Sequence, residues 1–146
     1  MSENLQENIK EIIDRETEAW NNKDVQKLLS IFHPDMVWPW PRTFDSRDPV
    51  DWVFEVGRFD YQRWKGIYEE FFKSHVLIHN KRIIQKIVIS DQNDGAFAVV
   101  DVNTLWKNTR AQKDFLWKGR ACKIYTKMGN GEWKLISHTG LLNYTI

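Results

Sequence analysis

The sequence has little of what marks several large classes of protein. It contains one cysteine, Cys122, in 146 residues, so no disulfide can form within the chain. The place of Cys122 in an apolar, strand-like run predicts a reduced, buried thiol. The chain has no apolar run near 18 residues and no basic-then-apolar start. We therefore expect a cytoplasmic protein with no membrane partner.

An excess of charge of one sign is also missing. The chain has 21 basic and 20 acidic residues, interspersed, for a formal net charge of +1. Proteins that bind nucleic acid or acidic surfaces by long-range attraction carry a strong basic excess. We therefore expect no nucleic-acid partner.

Several signature motifs are absent as well. The sequence has no Gly-rich phosphate loop, no paired-cysteine motif, no His-Glu-x-x-His and no Gly-x-Ser-x-Gly, so nucleotide hydrolysis, zinc chemistry and esterase chemistry lack support. His75 and His79 would share one face of a strand at a spacing that can bind a metal, but no third ligand is evident and we interpret them as surface residues. We expect no metal and no cofactor.

What the chain has in quantity is aromatic side chains. Eight Trp, eight Phe and four Tyr make 14% of the sequence, which is more flat apolar area than a small core needs. Some of it can line a cavity or an interface. The length predicts one domain spanning residues 1–146.

The first half of the chain predicts helices. Apolar residues at helical spacing predict an amphipathic helix over about residues 4–22. Asp24 caps a second helix whose apolar face runs to Phe32 and which Pro34 ends. Asp60 caps a third helix with Gly66 in its interior, which indicates close packing or a later helix start.

A short extended segment follows the first two helices. Met36–Pro41 alternates so that Trp38 and Trp40 project to one side. Because Pro39 lacks an N–H, this strand is predicted to be short and at a sheet edge.

Residues 42–61 form an excursion rich in Asp and Arg. Asp48-Pro49 is a plausible cap and first turn for a short helix that Gly57 would stop. We interpret the excursion as a segment that crosses the body of the fold or serves as a lid.

The second half predicts strands joined by short turns, and hence antiparallel neighbours. Asn130-Gly131 is a strong hairpin signal, because a tight turn needs positive φ, and Gly119 predicts a bulge. Helices first and strands after them predict an α+β fold. The predicted strands are His75–His79, Ile83–Ser90, Phe97–Lys107, Phe115–Lys127 and Trp133–Tyr144.

This order of elements resembles the nuclear-transport-factor-2-like superfamily, and within it the SnoaL-like branch that includes polyketide cyclases and ketosteroid-isomerase-like proteins. The resemblance implies a cone-shaped, curved antiparallel sheet wrapped around a long helix, with an N-terminal helix hairpin (a cystatin-like roll). It covers nearly the whole chain except residues 42–61. The segments that carry it are Ala19–Asp24, Phe32–Asp35, Gly66–Phe72 and Gly131–His138.

The resemblance also implies a pocket for a small, often aromatic or polycyclic, ligand. Members include isomerases, cyclases, dehydratases and non-catalytic oligomerisation domains, and we expect a homodimer through the sheet. Ketosteroid-isomerase-like members carry a catalytic Asp on the first short strand, where this chain has Val37–Trp40 and no carboxylate. The oligomerisation domain of a calmodulin-dependent kinase is also similar, and its pocket Arg falls nearest Lys123.

Asp101 and His138 are the candidate catalytic residues. A carboxylate among apolar neighbours on a central strand has a raised pKa, which suits proton transfer. The alternative is that Asp101 lies partly in water or pairs with a basic residue on the next strand. His138 titrates near neutrality and can shuttle a proton, or it is a half-buried His hydrogen-bonded across strands.

The candidate ligand-binding residues share an aromatic or polar side chain on the predicted pocket elements. The tryptophans would stack on a flat ligand or seal the core, and one of the tyrosines would donate a hydrogen bond or only pack. Arg120 and Lys123 differ in strand parity, so without a bulge only one of them can face inward, and Gly119 leaves open which one. The full set is Trp38, Trp40, Tyr68, Asn103, Arg120, Lys123 and Tyr125.

Two hypotheses follow. In the first, the protein is a cofactor-independent isomerase, cyclase or dehydratase that moves protons on a small aromatic or polyketide-like substrate. In the second, it is a non-catalytic ligand-binding or oligomerisation module that binds a small acid or a partner peptide, with Arg120 or Lys123 as the anchor. A buried carboxylate beside a His would favour the first, and a cation without an acid partner the second.

Overall fold

The computed structural model describes residues 4–38, 40–41, 52–53 and 58–139. Three helices and seven strands follow one another along these residues. In chain order they are α1 (Leu5–Asn21), α2 (Val25–Ser30), β1 (Phe32–Val37), β2 (Trp40–Pro41), β3 (Trp52–Val53), α3 (Tyr61–Ser74), β4 (His75–Ile89), β5 (Gly95–Asn108), β6 (Lys113–Lys127) and β7 (Trp133–His138).

The main sheet has five strands in the order β1-β7-β6-β5-β4. Strand β1 runs parallel to β7, and every other neighbouring pair is antiparallel. The helices cover one face of this open sheet, with α1 against β4 and β7. The predicted α+β architecture is confirmed.

The three helices begin at side-chain caps. Asn4, Asp24 and Asp60 each accept a hydrogen bond from the backbone N–H three residues later, which satisfies a donor that the first helical turn leaves unpaired. The predicted caps at Asp24 and Asp60 are therefore confirmed. Among the described residues, no helix has both the length and the apolar character that a membrane crossing requires.

The predicted end of the second helix is wrong by several residues. Helix α2 stops at Ser30, and Pro34 lies inside β1. The register between β1 and β7 shifts between Phe32 and Val37. A proline has no N–H to give to a ladder, so it is tolerated in this irregular edge strand.

The core lies between α1, α3 and the inner face of the sheet. Strand β5 alternates strictly, with every second residue from Ala96 to Trp106 buried, as a strand with one covered face should. On α1 the buried positions follow helical spacing. They are Ile9, Ile12, Ile13, Glu16, Ala19 and Trp20.

The two strands predicted before residue 90 are one strand, β4. Its pairing with β5 is continuous apart from shifts after Leu77 and after Ile84. The sequence indicated a break at residues 80–82 because Asn80-Lys81-Arg82 is polar. Asn80 and Arg82 instead project to the helix side, where both make hydrogen bonds.

The glycine predictions have mixed outcomes. The bulge predicted at Gly119 is wrong, since β6 stays in register with β5 from Lys113 to Thr126 and Gly119 pairs with Val102. Close packing at Gly66 is also wrong, because a Cβ there would meet no heavy atom within 4 Å. The hairpin turn is confirmed: the Gly131 N–H donates to Met128 O at 2.9 Å, and Gly131 has φ +89°.

Three other predictions differ from the structure, at least in part. A helix was predicted across residues 49–57, but Trp52–Val53 is a strand paired with Trp40–Pro41, and residues 42–51 and 54–57 lie outside the described part. The last strand ends at His138, and residues 140–146 are likewise outside it. Cys122 is half-buried rather than buried.

Candidate functional site

A small cavity lies between α1 and the inner face of the sheet. Charged and aromatic side chains line it together, which is unusual for the interior of a small domain. The space left inside is about 10 Å³, roughly what one water needs. Among the described residues its lining comprises Glu16, Trp20, Trp38, Arg82, Val102, Trp117, Ala121, Lys123 and His138.

Glu16 brings a carboxylate into this interior from α1. It occupies the helical stripe between Ile13 and Trp20, so its side chain points to the core and is 5% exposed. An ionised carboxylate in such a place must be paired and hydrogen-bonded, because the cost of its desolvation is large.

Lys123 is the principal partner of Glu16. It projects from the inner face of β6, and its Nζ donates to both oxygens of Glu16 at 3.0 Å each. Its side chain is 2% exposed. Burial lowers the pKa of the Lys123 ammonium, the Glu16 carboxylate opposes this shift, and the nearby Arg82 guanidinium adds to it.

Arg82 is the second buried cation, and its contact with Glu16 is looser. Its Nη1 lies 3.6 Å from Glu16 Oε2. Arg82 Nε donates to Asn80 Oδ1 at 2.9 Å, the same oxygen accepts from Thr104 Oγ1 at 2.7 Å, and Asn80 Nδ2 donates to Asn21 Oδ1. This polar chain fixes the Nε edge of the guanidinium and leaves its Nη edge toward the cavity.

His138 completes the cluster from the last strand, β7. Its Nδ1 lies 3.3 Å from Lys123 Nζ. An ammonium can only donate, so Nδ1 accepts and Nε2 carries the proton. Burial, together with the charges of Lys123 and Arg82, holds the pKa of His138 well below its ordinary range, so the ring is neutral. The buried Nε2 has no hydrogen-bond partner among the described residues.

Two tryptophans cover this cluster. The ring of Trp38 stands edge-on to His138, with centroids 3.9 Å apart, and lies nearly parallel to Trp117 at 5.9 Å. Trp38 follows directly after β1, which places it over the end of β7. A ligand larger than water would have to displace this ring to reach His138.

The cluster carries an excess of positive charge. Among the described residues that line the cavity, Arg82 and Lys123 are cations, Glu16 is the one carboxylate, and His138 is neutral. Within the described part of the chain, the cavity therefore combines one more cation than carboxylates with an N–H donor that has no hydrogen-bond partner. Both features suit an incoming oxygen that carries negative charge.

Three of the predicted site residues meet at this cavity: Trp38, Lys123 and His138. Tyr68 and Tyr125 are buried beside it without lining it. Burial and the charge of Glu16 raise the pKa of both phenols well above the ordinary value. The Tyr125 hydroxyl has no hydrogen-bond partner among the described residues.

Asp101 and Arg120 lie on the outer face of the sheet and are not among the cavity residues. Arg120 donates to both oxygens of Asp101, at 2.6 and 3.0 Å, and Gln85 donates to Asp101 at 2.7 Å. These bonds lower the pKa of Asp101, so the predicted rise has the wrong direction. The alternative prediction, an ion pair across strands, matches the geometry.

Asn103 and the two strand histidines are placed apart from the cavity. Asn103 shares the outer face with Asp101, and its backbone oxygen lies 3.2 Å from His79 Nδ1. His75 stacks on Phe71, with its Nδ1 near Ser74 Oγ, so the two histidines serve separate contacts. Within the described part of the chain no group of three or more His, Cys, Asp or Glu could hold a metal. The side chain of Trp40 lies outside what the structure describes.

Two central residues, Glu16 and Arg82, were missed from the sequence. Glu16 carried a detectable signal, since it interrupts an otherwise apolar stripe at the helical position between Ile13 and Trp20. Arg82 carried none, because it sits in a polar triplet that is typical of a turn.

Comparisons with known proteins agree on the fold. No protein-family model and no curated protein sequence matches this chain. Solved structures do. One is a conserved protein from Planctomyces limnophilus, with TM-score 0.72 and 18% identity over 92% of each chain. A ketosteroid isomerase-like protein from Erwinia carotovora atroseptica has TM-score 0.70 and 14% identity over 95% of each chain. An NTF2-like protein from Cytophaga hutchinsonii has TM-score 0.63 and 16% identity, with 94% of this chain and 97% of that chain covered.

Proposed function

The chain has the nuclear-transport-factor-2-like fold, and we propose that it binds a small organic anion in the cavity between α1 and the sheet, with the ring of Trp38 displaced from His138 to make room. The observation that carries the proposal is the buried cluster of two cations and one carboxylate, beside the Nε2–H of His138, which has no hydrogen-bond partner among the described residues. The ligand's oxygens would accept from His138 and Arg82 and would balance the excess charge.

Energetics favour this assignment over a purely structural cluster. A buried ion pair is costly to desolvate and is often no better than apolar packing, and a second buried cation that shares the same carboxylate adds to that cost. The fold maintains Arg82 through the polar chain of Asn80, Thr104 and Asn21. An anion that entered the cavity would offset much of this cost.

Ligand binding can be tested with matched probes by calorimetry and by native mass spectrometry of the freshly purified protein. Propionate and benzoate should bind, and their amides, which have similar shape without charge, should not. Replacing Arg82 by Gln should weaken binding about tenfold or more, since a hydrogen bond to a charged group contributes about 1.5–3 kcal/mol.

The matched control is Arg110→Gln, which removes an exposed arginine whose partner is Glu70. It should leave binding unchanged. Equal affinity for acids and amides, or an equal loss in both arginine variants, would contradict the proposal.

A second candidate function is cofactor-independent proton transfer, the isomerase or lyase chemistry of the first hypothesis. The observation that favours it is the neutral His138, whose Nε2–H faces the cavity while Lys123 supports its other nitrogen. A neutral imidazole in such a position can polarise a carbonyl. The carboxylate of Glu16 accepts a hydrogen bond from the same lysine, Lys123.

This chemistry would be visible as solvent-deuterium exchange into the α-position of small ketones, followed by NMR. His138→Phe should abolish it. Asp101→Asn should leave it unchanged, because Asp101 is paired with Arg120 on the outer face. A loss in the Asp101 variant with exchange retained in the His138 variant would return the catalytic role to Asp101.

A further inference from the structure

Lys123 has the surroundings of a nucleophilic amine. Its Nζ has a carboxylate at 3.0 Å and an imidazole nitrogen at 3.3 Å, and it lines the cavity rather than the solvent. A nucleophilic lysine needs three things: shelter from water, a nearby cation and groups that carry protons. The burial of Lys123 provides the shelter from water. Arg82 is the nearby cation, and Glu16 and His138 are the groups that carry protons.

We propose that Lys123 forms a Schiff base with the carbonyl group of a small 2-oxo acid, an inference that rests on the proposed binding of organic anions in this cavity. The Nη edge of Arg82 and the Nε2–H of His138 would hold the carboxylate. The 2-oxo carbon would then lie next to Lys123 Nζ. A monocarboxylate fits because the two cations exceed Glu16 by one charge.

The step balances without an oxidant or reductant. The Lys123 ammonium gives one proton to His138 Nδ1, and the free amine attacks the carbonyl carbon while the C=O π electrons move to oxygen. The hydroxyl of the resulting carbinolamine leaves as water, with the proton returned from His138. The sum is an ammonium and a carbonyl giving an iminium and one water. Glu16 stays ionised beside the iminium and stabilises its charge.

Burial also lowers the pKa of the Lys123 ammonium, which favours the free amine that this step requires. A lower pKa raises the fraction of free amine at neutral pH. Lys118 is an internal control on the same strand, because it projects from the opposite face of β6 and is exposed. The two lysines share a strand and differ in environment.

The experiment is reductive trapping on the unmodified protein with cyanoborohydride, using pyruvate, acetone and lactate as probes. Pyruvate has the acid and the ketone, acetone only the ketone, and lactate only the acid. We expect pyruvate to add the mass of pyruvic acid less one oxygen atom, and peptide mapping to place it predominantly on Lys123 rather than on Lys118. Excess lactate should suppress the labelling, and acetone should label Lys123 less.

The outcomes separate this inference from the function on which it rests. If calorimetry detects binding of pyruvate and lactate but no adduct forms on Lys123, anion binding stands and the Schiff base is excluded. If neither acid binds, both proposals fail. Labelling spread equally over Lys118 and Lys123 also overturns the inference. These measurements use the unmodified protein, so their interpretation does not depend on whether a Lys123 variant folds.

Discussion

Glu16 and Lys123 form a buried pair that should matter far more to stability than an exposed pair of similar geometry. Glu16→Gln leaves Lys123 and Arg82 buried without their carboxylate, and breaking such a pair costs about 3–5 kcal/mol. Urea denaturation of the variant should show this loss in the free energy of unfolding.

The control is Glu70→Gln, which breaks the exposed pair with Arg110 at 2.7 Å. Exposed pairs contribute about 0–1 kcal/mol. Similar losses in the two variants would mean that the buried contact is no stronger than the exposed one. The double variant Glu16→Gln with Lys123→Met should recover part of the loss, because it removes a buried charge.

His138 predicts a dependence of stability on pH. The folded protein keeps this ring neutral, whereas the unfolded chain takes up a proton near the ordinary pKa of about 6.5. Below that pH the unfolded state binds more protons, so the free energy of unfolding decreases as pH falls, by at most about 1.4 kcal/mol per pH unit.

Denaturation curves between about pH 7 and about pH 5 measure this slope. His138→Gln should flatten it, and His79→Gln, at an exposed position, should not. Asp101 acts in a lower window: its pKa is depressed from 3.8, so its contribution is complete above that value and is lost as pH falls further. An unchanged slope in the His138 variant would contradict the assignment.

At the scale of single residues, the sequence singled out three residues that line the cavity, His138, Lys123 and Trp38. Strand parity indicated that Arg120 or Lys123 faces inward, but it did not distinguish between them. Asp101 failed because the alternation of β5 that buries Val100 and Val102 turns the odd positions outward. Which basic residue meets which acid depends on register across strands, and a sequence does not state register.

Gly66 predicts a gain in stability at the scale of the element. It lies in the interior of α3, and a Cβ there would meet open space. Gly66→Ala should therefore raise the free energy of unfolding by about 0.5–1 kcal/mol, because alanine loses less backbone freedom on folding. Thermal denaturation measures it as a higher Tm.

Gly131 is the contrasting position, since it needs φ +89° in the turn between β6 and β7. Gly131→Ala should lower the free energy of unfolding by about 1 kcal/mol or more. If alanine raised the free energy of unfolding at both positions, the backbone conformation of the glycine would not be what determines the effect.

Element types were predictable where local chemistry decides them. The capping residues predicted the starts of α2 and α3, and the alternation of apolar residues predicted β5. The strand across Trp52–Val53 was not predictable, because its partner Trp40–Pro41 is two residues long and lies across the excursion. Pairing of that kind is a tertiary effect that local propensity does not encode.

For the whole molecule we expect a homodimer through the outer face of the sheet. Large apolar side chains on that face are exposed, including Ile83, Phe97, Leu116 and Ile124, and monomers seldom leave such a patch uncovered. The adjacent charges of Asp101 and Arg120 would complement each other across a two-fold axis. A net charge of +1 opposes association little.

Native mass spectrometry and light scattering test this expectation. The protein should be a dimer, and Phe97→Glu should make it a monomer by placing a charge in the interface. Ile67→Glu changes a side chain of similar exposure (42%) on α3 and should stay dimeric. A monomeric parent protein at micromolar concentration would exclude the interface.

The parallel pairing of β1 with β7 also has a consequence for synthesis on the ribosome. Phe32 pairs with Leu135, on the order of 100 residues later, and translation at about 5–20 residues per second makes the wait roughly 5–20 s. Throughout that interval β1 has no partner strand in the main sheet, and the contact between Trp38 and His138 cannot form. The nascent chain therefore passes through a stage with three helices and an incomplete sheet, at which the strand beside Trp38 is open to chaperones and to other nascent chains.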